Sequence, residues 1–338
     1  MEPGTSPWQR RRWSIGALLT VVFMVVAIAL DAQIWVASRL LATPPGGLAH
    51  PTLGQVCNFR NEGLNLYEWM SHGYCQGVRE FLMLDDSSTD NSLDEIERFR
   101  QDHASDRTLT VTVVARSEEP ELAGAHHTQT DNYNTLIKRM RSDWVAVWDI
   151  DEFIFARGRS KTITAFLATV PRDIGSIYVH CKLFGCNNLS AHPPSLIHGN
   201  TWRQRTLSTV GKTLHRRSMI VKVGVHKAEW DILGRVVNAD LSPFCLDVLR
   251  LGSCPRVPPV PPLQNMRLMC NHYQLQSREF WQKNKVVPGT LNLQWGVPTW
   301  DDFDGRDAER HDLIDLELSR LTNVSKCMPQ RWRGRGRA

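Results

Sequence analysis

From Ser14 to Leu30 no residue is charged and Val, Leu, Ile and Ala dominate, while Arg10, Arg11 and Arg12 stand immediately before the run. As a helix it rises roughly 25 Å at about 1.5 Å per residue, short for a plasma membrane and adequate for a thinner early-secretory one. Trp13 and Trp35 flank it at interfacial positions. The arginines predict a cytoplasmic tail over 1–12, a transmembrane signal anchor over 13–35 and a stem over 36–54. Ala27-Ile28-Ala29 offers the competing reading of a cleaved signal peptide, but the apolar stretch exceeds the usual 7–15 residues. Both readings place the rest of the chain in the lumen of the secretory pathway.

Beyond the stem the pattern alternates between apolar bursts and helical spacing. Val56–Phe59, Phe81–Leu84, Leu109–Ala115 and Trp144–Trp148 are runs suited to buried strands. Between them Glu62–His72, Leu93–Gln101 and Thr130–Arg141 have helical periodicity. A β-α-β-α-β-α-β order predicts an α/β fold: a mostly parallel sheet with helices on both faces, binding its ligand at the carboxyl ends of the strands. Asn58, Asp86 and Asp149 fall at or just past such ends. The second half is less regular. Ser176–Leu183 and Met219–Val225 read as further strands, and five prolines between Pro255 and Pro262 demand a loop or extended segment.

Composition narrows the class. In 338 residues, 42% are hydrophobic and the formal net charge is +5, enough apolar content for a full core and too little charge for an electrostatic nucleic-acid binder. Arg331, Arg333, Arg335 and Arg337 form a basic tail over 326–338 that does not interleave with a stacking platform of the kind nucleic-acid binders use, so no nucleic-acid partner is expected. Eight cysteines permit disulfides in an oxidising lumen; Cys181 with Cys186 and Cys245 with Cys254 are the local pairs to test first. Asn188-Leu189-Ser190 and Asn323-Val324-Ser325 are glycosylation sequons.

The sharpest chemical signal is Trp148-Asp149-Ile150-Asp151-Glu152-Phe153, in which an apolar strand delivers two carboxylates to an edge. Hard oxygen ligands at this spacing suit Mg²⁺ or Mn²⁺, which also takes phosphate oxygens. Haloacid-dehalogenase-type phosphatases share the D-x-D, but that domain opens on its acidic strand, whereas three strand-helix units precede this one. Asn61, Glu62, Asp85 and Asp86 lie where they can hydrogen-bond a nucleoside; Ser88 or Asp90 can equally be a helix N-cap. His272, within Asn271-His272-Tyr273, is a candidate third metal ligand or diphosphate contact. His226 is equally ambiguous. Glu229, Asp231 and the Asp301, Asp302, Asp304 cluster are candidates for a base.

Taken in order, these blocks resemble glycosyltransferase family 92 and related family-2-like enzymes. They are Asn61-Glu62-Gly63 with Glu68-Trp69, Asp85 to Asp90, Tyr133-Asn134 ahead of Asp143-Trp144-Val145, and Asp149 to Phe153. Phe184-Gly185, Lys212, His226 and Asn271-His272-Tyr273 with Ser277, Glu279-Phe280 and Lys283 follow. The resemblance implies a GT-A fold over 55–325 and a metal-dependent hexosyltransferase. Its donor would be a UDP-sugar, galactose the first expectation, moved to a glycan hydroxyl with inversion. It implies Asp149, Asp151 and His272 at the metal and Asn61, Glu62, Asp85, Asp86, Tyr133, Asn134 and Lys212 at the donor. The acceptor would be a glycoprotein or glycolipid glycan in the Golgi or endoplasmic reticulum. An anchored nucleotide-sugar or glycan binder without turnover is the alternative. The proline-rich segment and the arginine tail depart from the family pattern.

Overall fold

The structure is a computed structural model that describes residues 50–119, 121, 128–226, 233–244, 260–286, 298–324 and 327–329. The expected tail, anchor, most of the stem, Glu229, Asp231, Cys245, Cys254, most of the proline-rich segment and the arginine tail lie outside them. No helix among the described residues is long and apolar enough to cross a membrane.

Strands β1 (Leu53–Phe59), β2 (Val78–Asp85), β3 (Thr110–Ala115) and β4 (Trp144–Val147) form the parallel half of the main sheet, in spatial order β3-β2-β1-β4. β1 and β4 are apolar because both faces of a central parallel strand are covered. Helices α1 (Leu66–Cys75), α2 (Ser92–Asp102) and α3 (Gln129–Ile137) supply the crossovers. α1 begins four residues later than its periodicity suggests, because Asn61 takes a left-handed φ of 56° and the chain first turns through Glu62–Asn65. α2 starts where Asp90 accepts from both Ser92 N and Ser92 Oγ. The N-cap itself is Asn91 rather than Ser88 or Asp90, and Asp90 serves the helix from the position before it.

The remaining elements extend the sheet in ways the hydrophobic pattern hides. β5 (Glu152–Ala156) starts directly after the D-x-D; α4 (Ile163–Leu167) and β6 (Ile174–Leu183) follow. Short α5 (Leu196–Gly199) and β7 (Trp202–Arg203) lead to β8 (Gly211–Arg216), which runs antiparallel between β4 and β6. β9 (Arg235–Asn238) and β10 (Leu268–His272) lie parallel to β6, and β10 also pairs antiparallel with β5. The sheet therefore runs β3-β2-β1-β4-β8-β6-β10-β5, mostly parallel, with β8 and β5 reversed. Helices α6 (Arg278–Asn284) and α7 (Trp300–Ala308), strand β11 (Leu313–Ile314) and helix α8 (Glu317–Val324) complete the described chain.

Two expectations fail here. Met219–Val225 is not a strand: a 3-10 turn at Arg217–Met219 ends β8, and Asn134 then grips the following loop. Its Oδ1 accepts from Val223 N at 2.9 Å and its Nδ2 donates to Val223 O at 2.8 Å. Cys181 and Cys186 are both free and buried. Cys181 faces Cys270 across β6 and β10, while the Cys186 thiol donates to Asp307 Oδ2 at 3.1 Å. Among the described residues a disulfide joins Cys75, at the end of α1, to Cys327, 252 residues away.

The same C-terminal segment is held by charge. Lys182, 1% exposed, sits between Asp315 at 2.8 Å and Glu317 at 2.7 Å. Arg203 reaches Asp315 at 2.6 Å and Arg157 reaches Glu317 at 2.5 Å. Lys182 cannot be left unpaired at such depth without a penalty of several kcal/mol, so the C-terminal acids are a condition of β6 being buried.

Closing so long a loop limits the unfolded chain. Cys327→Ser is expected to lower unfolding free energy by about 2–4 kcal/mol in denaturant titrations, and an unchanged midpoint under reducing conditions would count against the bond. A second expectation concerns acid. His72 is buried, its Nε2 meets Ile154 O at 2.8 Å, and burial lowers its pKa from 6.5 to about 4. Between those values the unfolded chain binds the proton better, so stability present above pH 6.5 is lost as pH falls. At pH 5 this amounts to roughly 2 kcal/mol. His72→Gln should flatten the pH dependence of the unfolding midpoint, and parallel curves for variant and parent would refute the assignment.

Candidate active site

The parallel strands β1, β2 and β4 end on one edge, and the turn after β4 carries Asp149 and Asp151 in alternation with two buried anchors, Trp148 and Ile150. Glu152 N donates to Asp149 O at 3.1 Å, closing the turn, and Tyr273 N donates to Asp151 O at 2.8 Å, tying it to the end of β10. Trp69 on α1 donates from Nε1 to Glu152 O at 3.1 Å. The backbone of the D-x-D is thus fixed from three elements before any side chain is considered.

Its two aspartates have different surroundings. Asp149 Oδ2 accepts from Lys212 Nζ at 2.7 Å, and its Oδ1 accepts from Gln129 Nε2 at 2.7 Å and the Tyr133 hydroxyl at 3.0 Å. Lys212, fully buried on β8, also reaches Glu152 Oε2 at 3.0 Å. That same oxygen accepts from Asp149 N at 3.0 Å. Asp151 Oδ1, by contrast, is buried and accepts no hydrogen bond; His272 Nε2 stands 3.5 Å from it. Asp151, Glu152 and His272 each place one donor atom within 4.8 Å of the others. Two carboxylates and an imidazole, one of them with an orphaned oxygen, fit a divalent cation. Asp149 stands outside this group, with Lys212, Gln129 and Tyr133 on its carboxylate.

Electrostatics follow the contacts. Burial alone would raise Asp149, yet the Lys212 ammonium holds its pKa below the ordinary carboxylate value. Burial works equally against Asp151, and His272 outweighs it, so Asp151 also stays ionised. Glu152 is different: burial pushes it up to about 7 despite the pull of Lys212. Burial would lower Lys212, but Asp149 and Glu152 keep it above the usual lysine value. His272 is raised in the same way, its burial offset by Asp151 and Glu152.

The other sequence candidates divide into neighbours and scaffolding. Asn61 cross-links the loops after β1 and β2: its Oδ1 accepts from Thr89 N at 2.7 Å and its N donates to Ser88 Oγ at 3.0 Å. Asp85 accepts from Ser88 N at 2.9 Å. Asp86 is half-exposed, with Oδ1 on Arg116 Nε at 2.5 Å. Glu62 accepts from Asn65, and burial raises its pKa to about 7 against the field of Lys285. Tyr133 and Lys212 support Asp149, and Asn134 clamps the loop ending at exposed His226. His226 feels the charges of Lys212, Asp149, His272 and Asp151. Asp302 caps α7 through Thr299, and Asp304 pairs with Arg278 on the surface. Asn188 is exposed at a left-handed φ of 58°, and Asn323 accepts from His198 Nε2 at 2.9 Å near the end of α8.

Sequence reasoning missed Gln129, Glu152, Lys285 and Arg310. Glu152 was visible inside the motif, and only its position opposite His272 on β10 gives it a role. Lys285 and Arg310 act on Asp151 electrostatically from α6 and the α7–β11 turn, and no local pattern marks them.

The ends of the strands thus gather ionised carboxylates beside a histidine at one edge of an α/β sheet. The model of glycosyltransferase family 92 matches residues 56–236, more than half of the chain. The chain belongs to glycosyltransferase family 92. Among solved structures it is similar to a mannosyltransferase from Pyrobaculum calidifontis in complex with GDP-Man and Mn²⁺, at 18% identity and TM-score 0.33, covering 58% of this chain and 56% of that one. It is also similar to glucosyl-3-phosphoglycerate synthase from Mycobacterium tuberculosis in complex with Mn²⁺ and UDP-glucose, at 12% identity and TM-score 0.30, covering 50% and 57%. The chain thus spans little more than half the length of either structure. A comparison with curated proteins finds no match.

Removing Lys212 leaves two buried acids facing each other. Lys212→Met should cost about 3–5 kcal/mol in denaturant unfolding, whereas Asp151→Asn, which removes only the 3.5 Å contact to His272, should cost less. Equal losses in the two variants would contradict the division between a structural and a free aspartate.

Proposed function

We propose that this family-92 glycosyltransferase moves a hexose, galactose first among the sugars to try, from a UDP-linked donor to a glycan hydroxyl with inversion. The reading includes dependence on Mn²⁺ or Mg²⁺. The observation that carries it is the buried, unbonded Asp151 Oδ1 facing His272. Asp151 and His272 would hold the cation, and Asp149, already committed to Lys212, Gln129 and Tyr133, would stiffen the turn. A bound divalent cation supplies neutralisation of the charge that builds on the departing diphosphate. Glu62 and Asp86 flank the same edge and are the side chains proposed for the nucleoside. The acceptor hydroxyl gives its proton to a base, for which His226, Glu229 and Asp231 remain the candidates by sequence.

In this reading the apolar run 14–30 anchors the chain in a Golgi or endoplasmic reticulum membrane, with the domain luminal. The Cys75–Cys327 disulfide supports an oxidising compartment, and exposed Asn188 is the sequon we expect to carry carbohydrate.

The test is a screen of UDP-sugars against the full chain with Mn²⁺, scoring both transfer and donor hydrolysis. Asp151→Asn should reduce turnover at least about 100-fold while the protein stays folded. Near-normal, chelator-insensitive turnover in that variant would sink the metal mechanism. UDP-sugar binding with no transfer or hydrolysis by the parent chain would favour the binding-protein alternative.

A further inference from the structure

Two lysines stand near the end of α6 in different situations. Lys283, the one within the family pattern, is exposed and pairs with Glu279 at 2.7 Å along the helix. Lys285 follows the last residue of α6 and is half-buried, its Nζ 5.6 Å from the Phe280 ring centroid. Among the described residues no carboxylate pairs with it. An aromatic face attracts a cation but leaves its charge in place.

The position of Lys285 is set from two sides. α6 follows the end of β10 that carries His272, and at its far end Asn284 Nδ2 donates to Asn61 O at 3.0 Å. The helix therefore runs from the proposed cation site to the loop proposed for the nucleoside. Burial raises Glu62 on that loop to about 7, and Lys285 is the charge that most pulls it back. Burial also works against Asp151, and Lys285 is the next cation after His272 to hold it ionised. Glu62 in turn feels the charge of Asp151. The Lys285 ammonium thus neighbours both acids.

A nucleoside diphosphate with its nucleoside at Glu62 and Asp86 and a cation at Asp151 has to lay its phosphates across the gap between them. We propose that Lys285 is a binding residue for the donor diphosphate, a fixed positive charge in that gap. The proposal rests on the reading above for the placement of the donor. When the bond from the anomeric carbon to the diphosphate oxygen breaks, that oxygen keeps the electron pair. The acceptor oxygen bonds to the carbon and its proton goes to the base. The charge left on the diphosphate then lies beside an ammonium already in place to meet it. A simpler role exists, since a lysine at a helix C-terminus complements the dipole. That role gives no preference for a phosphate over an uncharged ligand.

The experiment compares UDP with uridine, which lacks the phosphates, by calorimetry on the full chain. With chelator present, only the protein's own charges favour UDP. The parent should bind UDP more tightly than uridine. Lys285→Met should cut UDP affinity about 10–100-fold, the scale of a hydrogen bond to a charged group, and leave uridine affinity unchanged. Lys285→Arg should keep most of the preference. Lys283→Met, which removes the same charge from the same helix, should keep all of it. Should Lys285→Met fold poorly, Lys285→Gln carries the comparison. Equal losses for UDP and uridine, or an unchanged preference in a folded variant, would overturn the proposal and leave Lys285 as a helix cap. A parent that prefers GDP to UDP would overturn the uridine part of the donor reading, and the same variants compared on GDP and guanosine then decide the role of Lys285. A parent with no preference for a diphosphate over its nucleoside in chelator overturns the proposal; no preference with Mn²⁺ either overturns the donor reading as well.

Discussion

The fully buried ammonium of Lys212 is the interaction on which the rest of this site depends. An isolated charge at that depth is too costly to keep, and the two carboxylates that reach it, Asp149 at 2.7 Å and Glu152 at 3.0 Å, are what make the position tenable. The lysine comes from β8, the antiparallel strand between β4 and β6, while both acids come from the turn joining β4 to β5. One ammonium therefore fixes where two halves of the sheet meet. It also consumes two of the three acids in the motif, and the third, Asp151, is left as the one with an unbonded buried oxygen.

A second lysine repeats the logic near the end of β6. Lys182 on β6 is matched by Asp315 and Glu317, and the chain carrying those acids is also tied down by the Cys75–Cys327 bond. The sheet gains its polar β6 and β8 only because partners distant in sequence arrive to neutralise them. Both networks are specific in a way apolar packing is not, since either lysine tolerates few alternative registers.

This explains what was legible in the sequence. Strands β1, β2, β3 and β4 are apolar runs, and hydrophobic pattern alone located them to within a few residues. β8, Gly-Lys-Thr-Leu-His-Arg, was invisible, because Lys212 and His215 are fully buried and a pattern search scores them as surface. The expected strand over Met219–Val225 was apolar enough, but Asn134 takes up Val223 N and O, the groups a ladder would need. Local spacing misled on Cys181 and Cys186 for a similar reason: the Cys75–Cys327 bridge spans 252 residues, and short loops are no guide to it. At the site, Asp149, Asp151 and His272 could be read as a group from motif and resemblance. Their division of labour could not, because it is set by Lys212, 63 positions from Asp149, and by a cross-strand register.

The donor-side loops follow the same rule that tightly held groups leave others free. Asn61 and Ser87 adopt left-handed φ values of 56° and 63°, conformations that cost a non-glycine residue of order 1 kcal/mol or more. The loops offset this with a lattice of side-chain bonds: Asn61 to Ser88 and Thr89, Asp85 to Ser88, and Asp90 to Gly63 and Ser92. Asn61 and Asp85, both expected at the donor, are thereby committed to shaping the loops. Asp86 keeps one oxygen beyond its Arg116 partner and is half-exposed, and among the described residues Asn65 is the hydrogen-bond donor to the Glu62 carboxylate. Loop strain held by polar residues that face inward is a form of preorganisation: the ordering is complete before a ligand arrives, so less of the binding energy goes into creating it.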